Sequence, residues 1–120
     1  MIFLSYSWQD QAAIKIVENA LKRIGLKYWI DREHLDLSNQ LHSQIVLAIH
    51  NSSQILALKS EDSTLSPWVC FELGVASKLG KKISELDSDH EYLNHSCDSY
   101  VDKLLLSLLF FNTSNDDCHP

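Results

Sequence analysis

Short apolar runs alternate with stretches of helical periodicity along the first two thirds of the chain. The apolar runs cover residues 2–5, 26–30 and 54–58, and each precedes a stretch whose apolar residues recur every three or four positions. A short apolar run without polar alternation is typical of a parallel strand that is covered on both faces. Strands that alternate with helices predict an α/β fold, with a doubly wound parallel sheet and helices on both faces.

The first helix has a marked start and a marked end. Ser7 and Asp10 have the spacing of a capping box, with Asp in place of the usual Glu, and they predict its start. Gly25 stands just after the last apolar position, where a left-handed residue commonly ends a helix. One apolar face is predicted from helical spacing, and it consists of Ala13, Ile16, Val17, Ala20, Leu21 and Ile24.

A later helix, predicted to begin at residue 66, carries the candidate chemistry. Ser66 is a favoured N-cap, and Pro67 suits the first helical position because its missing N–H is not needed there. Trp68 and Glu72 are four residues apart, so they lie on one helix face about one turn from each other. An aromatic ring beside a carboxylate suggests a site, although the same spacing also fits a core tryptophan and a solvated glutamate.

The pattern weakens in the C-terminal third. We expect one domain over residues 1–111 with a sheet of about five strands, followed by a polar tail at 112–120. The elements predicted there are a fourth strand from Ile83–Ser84, a loop over most of 85–99, a short fifth strand at Tyr100–Val101 and a closing helix or strand over 103–111.

Charge and composition exclude several classes of protein. The net charge is −6, and residues 84–120 hold one lysine against eight acidic residues, which argues against binding to nucleic acid. No apolar run is long enough to cross a membrane or to act as a signal peptide, so we expect a cytoplasmic protein without membrane contact. The three cysteines are an odd number at unrelated spacings, which is typical of reduced thiols.

Cysteine and histidine residues give no strong sign of a metal site. His90, His95 and Cys97 lie close in sequence, but their spacing fits no common zinc template, so we expect no metal. Cys70 lies between Trp68 and Glu72 in sequence but on another helix face, and we expect it to be a small buried residue.

The carboxyl ends of the predicted strands meet at one edge of the sheet. Ligands of doubly wound sheets bind beyond these ends. The segments that lead to this edge are Ser5-Tyr6-Ser7, Asp31 and a stretch at 59–66 that we expect to be a polar loop.

Three segments resemble the TIR (Toll/interleukin-1 receptor) domains, in particular their bacterial branch. Phe3–Ser7 resembles the first-strand box of the family, and Gly25–Asp31 followed by His34–Leu35 resembles its second strand and BB loop. Ser66–Glu72 is similar to the W-x-x-x-E motif of the members that cleave NAD. The resemblance covers roughly residues 1–83 and implies a flavodoxin-like fold. Asp36–Asn39 departs from the glycine and proline common in that loop.

The resemblance implies that NAD is a substrate, with no further cofactor. Glu72 would be the catalytic carboxylate, which binds the ribose hydroxyls and stabilises the oxocarbenium-like charge. Trp68 would pack beside the ribose or the nicotinamide. The other residues predicted to line the substrate site are Tyr6, Ser7, Trp8 and Asp31, although Ser7 and Trp8 could instead serve only the helix start.

The resemblance also implies contacts between TIR domains. The loop residues Arg32, Glu33, His34 and Leu35 would dock on another TIR domain, so we expect a homo-oligomer when the protein is active. The implied setting is immune, antiphage-type, or cell-death signalling. Two alternatives stay open: a non-enzymatic TIR–TIR interaction module, and an enzyme similar to the nucleoside deoxyribosyltransferases.

Overall fold

A parallel sheet of four strands organises the part of the chain that the computed structural model describes, residues 1–30, 39–89, 93 and 98–111. The strands are β1 (Ile2–Ser5), β2 (Tyr28–Ile30), β3 (Gln54–Lys59) and β4 (Lys82–Asp87). They lie in the order β2-β1-β3-β4, so the chain crosses over between parallel neighbours. The predicted α/β class and the flavodoxin-like arrangement are therefore confirmed.

Helices cover both faces of this sheet. A short 3-10 turn (Trp8–Asp10) leads into the first helix, and a π-helical turn (Ser107–Phe111) continues the last one. The helices are α1 (Gln11–Arg23), α2 (Asn39–His50), α3 (Glu61–Leu65), α4 (Pro67–Lys78) and α5 (Asp98–Leu106). No helix of the described residues has both the length and the apolar character needed to cross a membrane.

The alternation of side chains along β1 divides the core into two clusters. Ile2 and Leu4 belong to a cluster with residues of α1 and α5, whereas Phe3 belongs to a second cluster with residues of α2 and α4. Phe3 also stacks on Trp29, with ring centroids 5.0 Å apart and planes at 13°. Because both faces are covered, the uninterrupted apolar character of β1 is explained.

Two glycines end α1 and α4 in the same way. Gly25 and Gly80 have φ angles of 78° and 69°, a left-handed conformation that glycine adopts without strain. After α1, the Leu26 N–H donates to the Leu21 carbonyl at 2.9 Å, and after α4 the Lys81 N–H donates to Ala76 at 3.0 Å. Both ends are Schellman motifs, and the helix end predicted at Gly25 is confirmed.

The predicted fifth strand at Tyr100–Val101 is wrong, because both residues lie in α5. Val101, Leu105 and Leu109 are all buried, and a spacing of four places them in one stripe that belongs to the core cluster of α1. β4 also extends further than expected, to Asp87, into the stretch predicted as loop. The packing of a continuous apolar stripe outweighs the strand propensity of a tyrosine–valine pair.

The polar stretch after β3 is helical, not a loop as predicted. Ser60 caps α3 and forms a capping box with Ser63, in which each side chain accepts a hydrogen bond from the other residue's backbone N–H, at 3.0 and 2.8 Å. Two serines replace the usual Ser and Glu of this motif, which explains why the sequence pattern did not reveal it.

The predicted capping box at the start of α1 is also wrong. Ser7 caps the 3-10 turn instead, and its Oγ accepts from the Gln9 N–H at 3.4 Å. The Asp10 carboxylate accepts from the Ser60 hydroxyl at 2.5 Å, so it joins the segment after β1 to the segment after β3. The carboxyl ends of the two central strands are therefore tied together by side chains.

Candidate active site

Glu72 is positioned by the start of α4. The Ser66 Oγ accepts a hydrogen bond from the Val69 N–H at 3.3 Å, and Pro67 occupies the first turn, as predicted. This start fixes the rotation of the helix, and Glu72 points into the protein in the second turn, with 1% of its surface exposed. The alternative of a solvated helix glutamate is therefore excluded.

Ser5 meets this carboxylate from the opposite side. It is the last residue of β1 and points to the same face as Phe3, two positions earlier, which is the face that α4 covers. Its Oγ donates a hydrogen bond to Glu72 Oε1 at 2.8 Å, and Ser5 has no exposed surface. A hydroxyl that donates to a buried carboxylate stabilises its charged form. The pair brings an acid to the carboxyl edge of the sheet.

Trp68 lies one turn before Glu72 and is also buried, with 7% of its surface exposed. Its ring belongs to the core cluster that contains Phe3, Ile45 and Ile49. Both residues of the W-x-x-x-E motif therefore face the interior of the protein. The contact of Trp68 with a substrate stays a prediction, since the ring in this structure packs against α2 and the sheet.

The segment after β1 presents its three candidate residues very differently. Tyr6 is buried in the cluster of α1, on the other face of the sheet from Glu72. Ser7 is buried as well, and its hydroxyl donates to Gln9 Oε1 at 2.5 Å. Trp8 is 56% exposed at the carboxyl edge. Of these three, Trp8 alone offers a large free surface for a ligand to stack on.

A cavity of about 240 Å³ opens at the same edge, on the α1 side of the sheet. Its polar lining comes from Gln9, Asp10, Ser88 and Asp89, and its apolar lining includes Ile16. Glu72 does not line this cavity, because it lies on the α4 side. The carboxyl edge therefore carries two separate features, an open polar cavity and a buried carboxylate.

Several candidate residues lie outside the described part of the chain. They are Asp31, Arg32, Glu33, His34, Leu35, His90, His95 and Cys97. Among the described residues there is no group of three or more histidine, cysteine or acidic side chains that could hold a metal ion. The predicted burial of Cys70 is wrong: its thiol is free and exposed, because its position on α4 faces away from the sheet.

Sequence reasoning missed Ser5 as a residue of the candidate site. A signal was present, because Ser5 is the only polar residue of the apolar run 2–5. Strand alternation also places it on the same face as Phe3. The identity of its partner could not be read from the chain, since 67 residues separate Ser5 from Glu72.

Comparison with known proteins identifies the family to which a chain with this fold belongs. The TIR domain family matches residues 2–87, which is most of the chain, so the protein belongs to that family. The matched segment begins with β1 and ends with β4, and it includes both Ser5 and Glu72.

A curated protein also shows sequence similarity to this chain. A Cytobacillus dafuensis protein with the provisional name cyclic ADP-D-ribose synthase TIR2 is 29% identical over 89 residues, which are 68% of this chain and 24% of that protein. The chain thus spans about a quarter of the length of the curated relative it matches.

Two solved structures share the fold. The TIR domain of the Toll-related receptor TRR-2 from Hydra magnipapillata superposes with a TM-score of 0.64 at 17% identity, over 89% of this chain and 96% of that one. The CMP N-glycosidase BcmB from Clostridium botulinum gives a TM-score of 0.59 at 21% identity, over 88% and 98%.

Proposed function

We propose that the protein cleaves the nicotinamide–ribose bond of NAD and releases nicotinamide with ADP-ribose or a cyclic ADP-ribose. The observation that carries this proposal is the Glu72 carboxylate, buried at the carboxyl edge of a parallel sheet and hydrogen-bonded by Ser5 at 2.8 Å. Ligands of doubly wound sheets bind at this edge, and an acid held there out of water is suited to stabilise a developing positive charge.

The chemistry of NAD explains why one carboxylate can suffice. The nicotinamide of NAD is already cationic, so it leaves as a neutral base without protonation by a general acid. Ordinary glycosides need a pair of carboxylates, one of which protonates the leaving group. In the proposed reaction, Glu72 binds the ribose hydroxyls and stabilises the oxocarbenium-like transition state, and its burial strengthens that interaction.

The named relative supports the choice of NAD as substrate. Cyclic ADP-D-ribose is formed from NAD when nicotinamide leaves and the anomeric carbon is captured within the same molecule, and the Cytobacillus relative carries the name of an enzyme that makes it. Capture by water would give linear ADP-ribose instead. Both products follow from the same bond cleavage, so the role of Glu72 is the same for either.

A second candidate is cleavage of the N-glycosidic bond of a nucleotide or a deoxynucleoside. The similarity in fold to the CMP N-glycosidase, over nearly the whole of that chain, favours it. It corresponds to the alternative of an enzyme similar to the nucleoside deoxyribosyltransferases. The leaving base of CMP is neutral, so its departure needs a proton donor. That requirement makes NAD the better match to a single buried carboxylate.

A product assay separates these functions. Purified protein is incubated with NAD, with CMP and with a deoxynucleoside plus a second base, and the products are resolved by chromatography. We expect nicotinamide together with ADP-ribose or its cyclic form from NAD, and no free cytosine or exchanged base. The Glu72→Ala variant, purified in parallel, controls for contaminating hydrolases. Free cytosine or base exchange with NAD intact would establish the second candidate.

The third candidate is a TIR domain that only binds other TIR domains. It predicts intact NAD at every protein concentration, together with self-association that Arg32→Glu or Leu35→Ala weakens.

For the enzyme, we propose a cytoplasmic protein of immune or cell-death signalling whose copies associate when active. Its specific activity is then expected to rise with protein concentration. A constant specific activity over a hundredfold dilution would show that a single copy suffices.

A further inference from the structure

We infer that Ser5 is a positioning residue for Glu72, and that its hydroxyl holds the carboxylate in one orientation and favours the charged form over the neutral one. This inference rests on the proposed function, because it assigns Ser5 a role through the proposed catalytic glutamate. It assigns a function to a residue of β1, one of the two central strands, beside the glutamate that α4 contributes.

The Ser5 hydroxyl is held more rigidly than the group it contacts. β1 pairs with β2 on one side and β3 on the other, and the register places Ser5 beside Ala57 of β3. A serine has one side-chain torsion before its oxygen, and Ser5 has no exposed surface, so the sheet itself determines where the hydroxyl lies. Glu72 has three such torsions and would otherwise lose more freedom on adopting a single orientation.

The hydrogen bond fixes more than one atom of the acid. Oε1 of Glu72 accepts from the Ser5 Oγ at 2.8 Å, and because the carboxyl group is planar, holding this oxygen also restricts where the second oxygen can lie. Donation to the carboxylate favours the charged form, which is the form that can stabilise an oxocarbenium-like centre. The same contact is therefore expected to act on both the orientation and the charge of the carboxylate.

Another buried serine of the sheet shows what a purely structural serine does here. Ser84 in β4 is 3% exposed, and its hydroxyl donates to the Leu108 backbone carbonyl at 3.2 Å, which ties β4 to the turn after α5. Ser5 instead donates to an ionisable side chain. A buried hydroxyl–carboxylate pair is not needed for packing, since apolar residues of similar volume would fill the same space at no electrostatic cost.

The test compares Ser5→Ala with Ser84→Ala, the same change at a second buried position of the sheet. We expect Ser5→Ala to lower kcat for NAD by roughly tenfold or more, as removal of a hydrogen bond to a charged group does, with a smaller effect on KM. Ser84→Ala is expected to leave kcat within about twofold while lowering the melting temperature at least as much. Equal effects of the two variants on kcat would overturn the inference.

A second measurement does not depend on NAD. The carboxyl carbon of Glu72 is followed by NMR titration of ¹³C-glutamate-labelled protein, with its signal assigned by its loss in Glu72→Gln. We expect Ser5→Ala to raise the pKa of Glu72, and Ser84→Ala to leave it in place. An unchanged pKa in Ser5→Ala overturns the inference. If native protein leaves NAD intact, the proposed function fails, and the titration still decides the role of Ser5.

The conservative variant covers the case in which Ser5→Ala does not fold. Ser5→Cys keeps the size of the side chain but donates a much weaker hydrogen bond. It is expected to fold and to show the same direction of change in kcat and in the pKa of Glu72. Native values for both quantities in Ser5→Cys would overturn the inference.

Discussion

Two glutamates of this protein are alike in their burial and in having a hydroxyl partner, yet we expect them to differ completely in function. Glu18 in α1 and Glu72 in α4 each expose 1% of their surface. Each accepts a hydrogen bond from a hydroxyl, Glu18 from Tyr28 at 2.9 Å and Glu72 from Ser5 at 2.8 Å. They lie on opposite faces of the sheet, one with the α1 cluster and the other with the α4 cluster.

The difference lies in which end of the sheet each carboxylate occupies. Tyr28 is the first residue of β2 and pairs with Ile2, the first residue of β1, so Glu18 is held at the amino end. Ser5 is the last residue of β1, so Glu72 is held at the carboxyl end, where ligands of such sheets bind. Burial and a hydroxyl partner are common to both acids, so we expect the position along the strands to decide which of them is functional.

The largest expected effect comes from replacing each glutamate by its amide. Glu72→Gln should reduce NAD cleavage by about a thousandfold or more, because the amide cannot stabilise a positive charge in the transition state. Glu18→Gln, the matched change, should leave kcat within about twofold. Nicotinamide release measured on folded protein, with circular dichroism as the check, compares the two. Comparable turnover of the two variants would remove the functional distinction between the ends of the sheet.

Trp68→Ala should cause the largest loss of stability. The ring is almost fully buried among Phe3, Ile45 and Ile49, so its removal leaves a cavity and should lower the free energy of unfolding by about 3–5 kcal/mol. Trp8→Ala is the control, because Trp8 is 56% exposed and its loss should leave unfolding nearly unchanged. Urea denaturation measures both.

The activity of Trp8→Ala tests whether the exposed ring at the carboxyl edge contacts the substrate. If Trp8 stacks on the substrate, Trp8→Ala should raise KM for NAD without lowering the melting temperature. An unchanged KM would assign Trp8 to the helix start alone, the alternative that the sequence also allows.

Tyr28→Phe should have an intermediate effect that is confined to stability. The change removes the hydroxyl that donates to Glu18 and should lower the free energy of unfolding by roughly 1.5–3 kcal/mol, the range for hydrogen bonds to charged groups. KM and kcat for NAD should remain at native values, because the pair lies at the amino end of the sheet. A selective loss of kcat in Tyr28→Phe would contradict the structural role assigned to Glu18.

Ser60→Ala should have the smallest effect, although Ser60 lies at the carboxyl edge. It removes the N-cap of α3 and the contact with Asp10, at a cost of about 1 kcal/mol in the free energy of unfolding. Ser77→Ala, at an exposed position near the end of α4, is the control. Thermal melting compares them, and kcat should stay within about twofold in both. A large loss of kcat in Ser60→Ala would show that the tie between the two loops takes part in the reaction.

Local sequence patterns predict the elements whose burial follows from a single period. β1 and β3 each consist of one apolar run and α1 has one apolar face, whereas α4 was located by its start at Ser66 and Pro67. α5 was predicted poorly because its register depends on the surface that α1 and the sheet offer to Val101 and Leu105.

The candidate site was predictable only in part. Glu72 could be singled out from its spacing to Trp68 and from the resemblance of that segment to a known motif. Ser5 and Glu18 could not, because their partners lie 67 and 10 residues away and only the folded chain brings the atoms together. A polar residue in an apolar stretch shows that a partner is required without showing which residue it is.

The segment that the family model matches is shorter than the segment that we expect to be needed for folding, because α5 lies outside the match and packs on the core. The family match ends at residue 87, yet Leu105 is fully buried against the α1 side of the sheet. Arg23 of α1 also donates to Asp102 at 2.9 Å, and this hydrogen bond raises the pKa of Arg23. A chain truncated after Asp87 would keep the four strands described here and the Ser5–Glu72 contact, but the apolar face that α5 covers would be exposed to water. We expect such a fragment to aggregate, and we predict that the shortest unit that folds by itself extends through the last turn after α5.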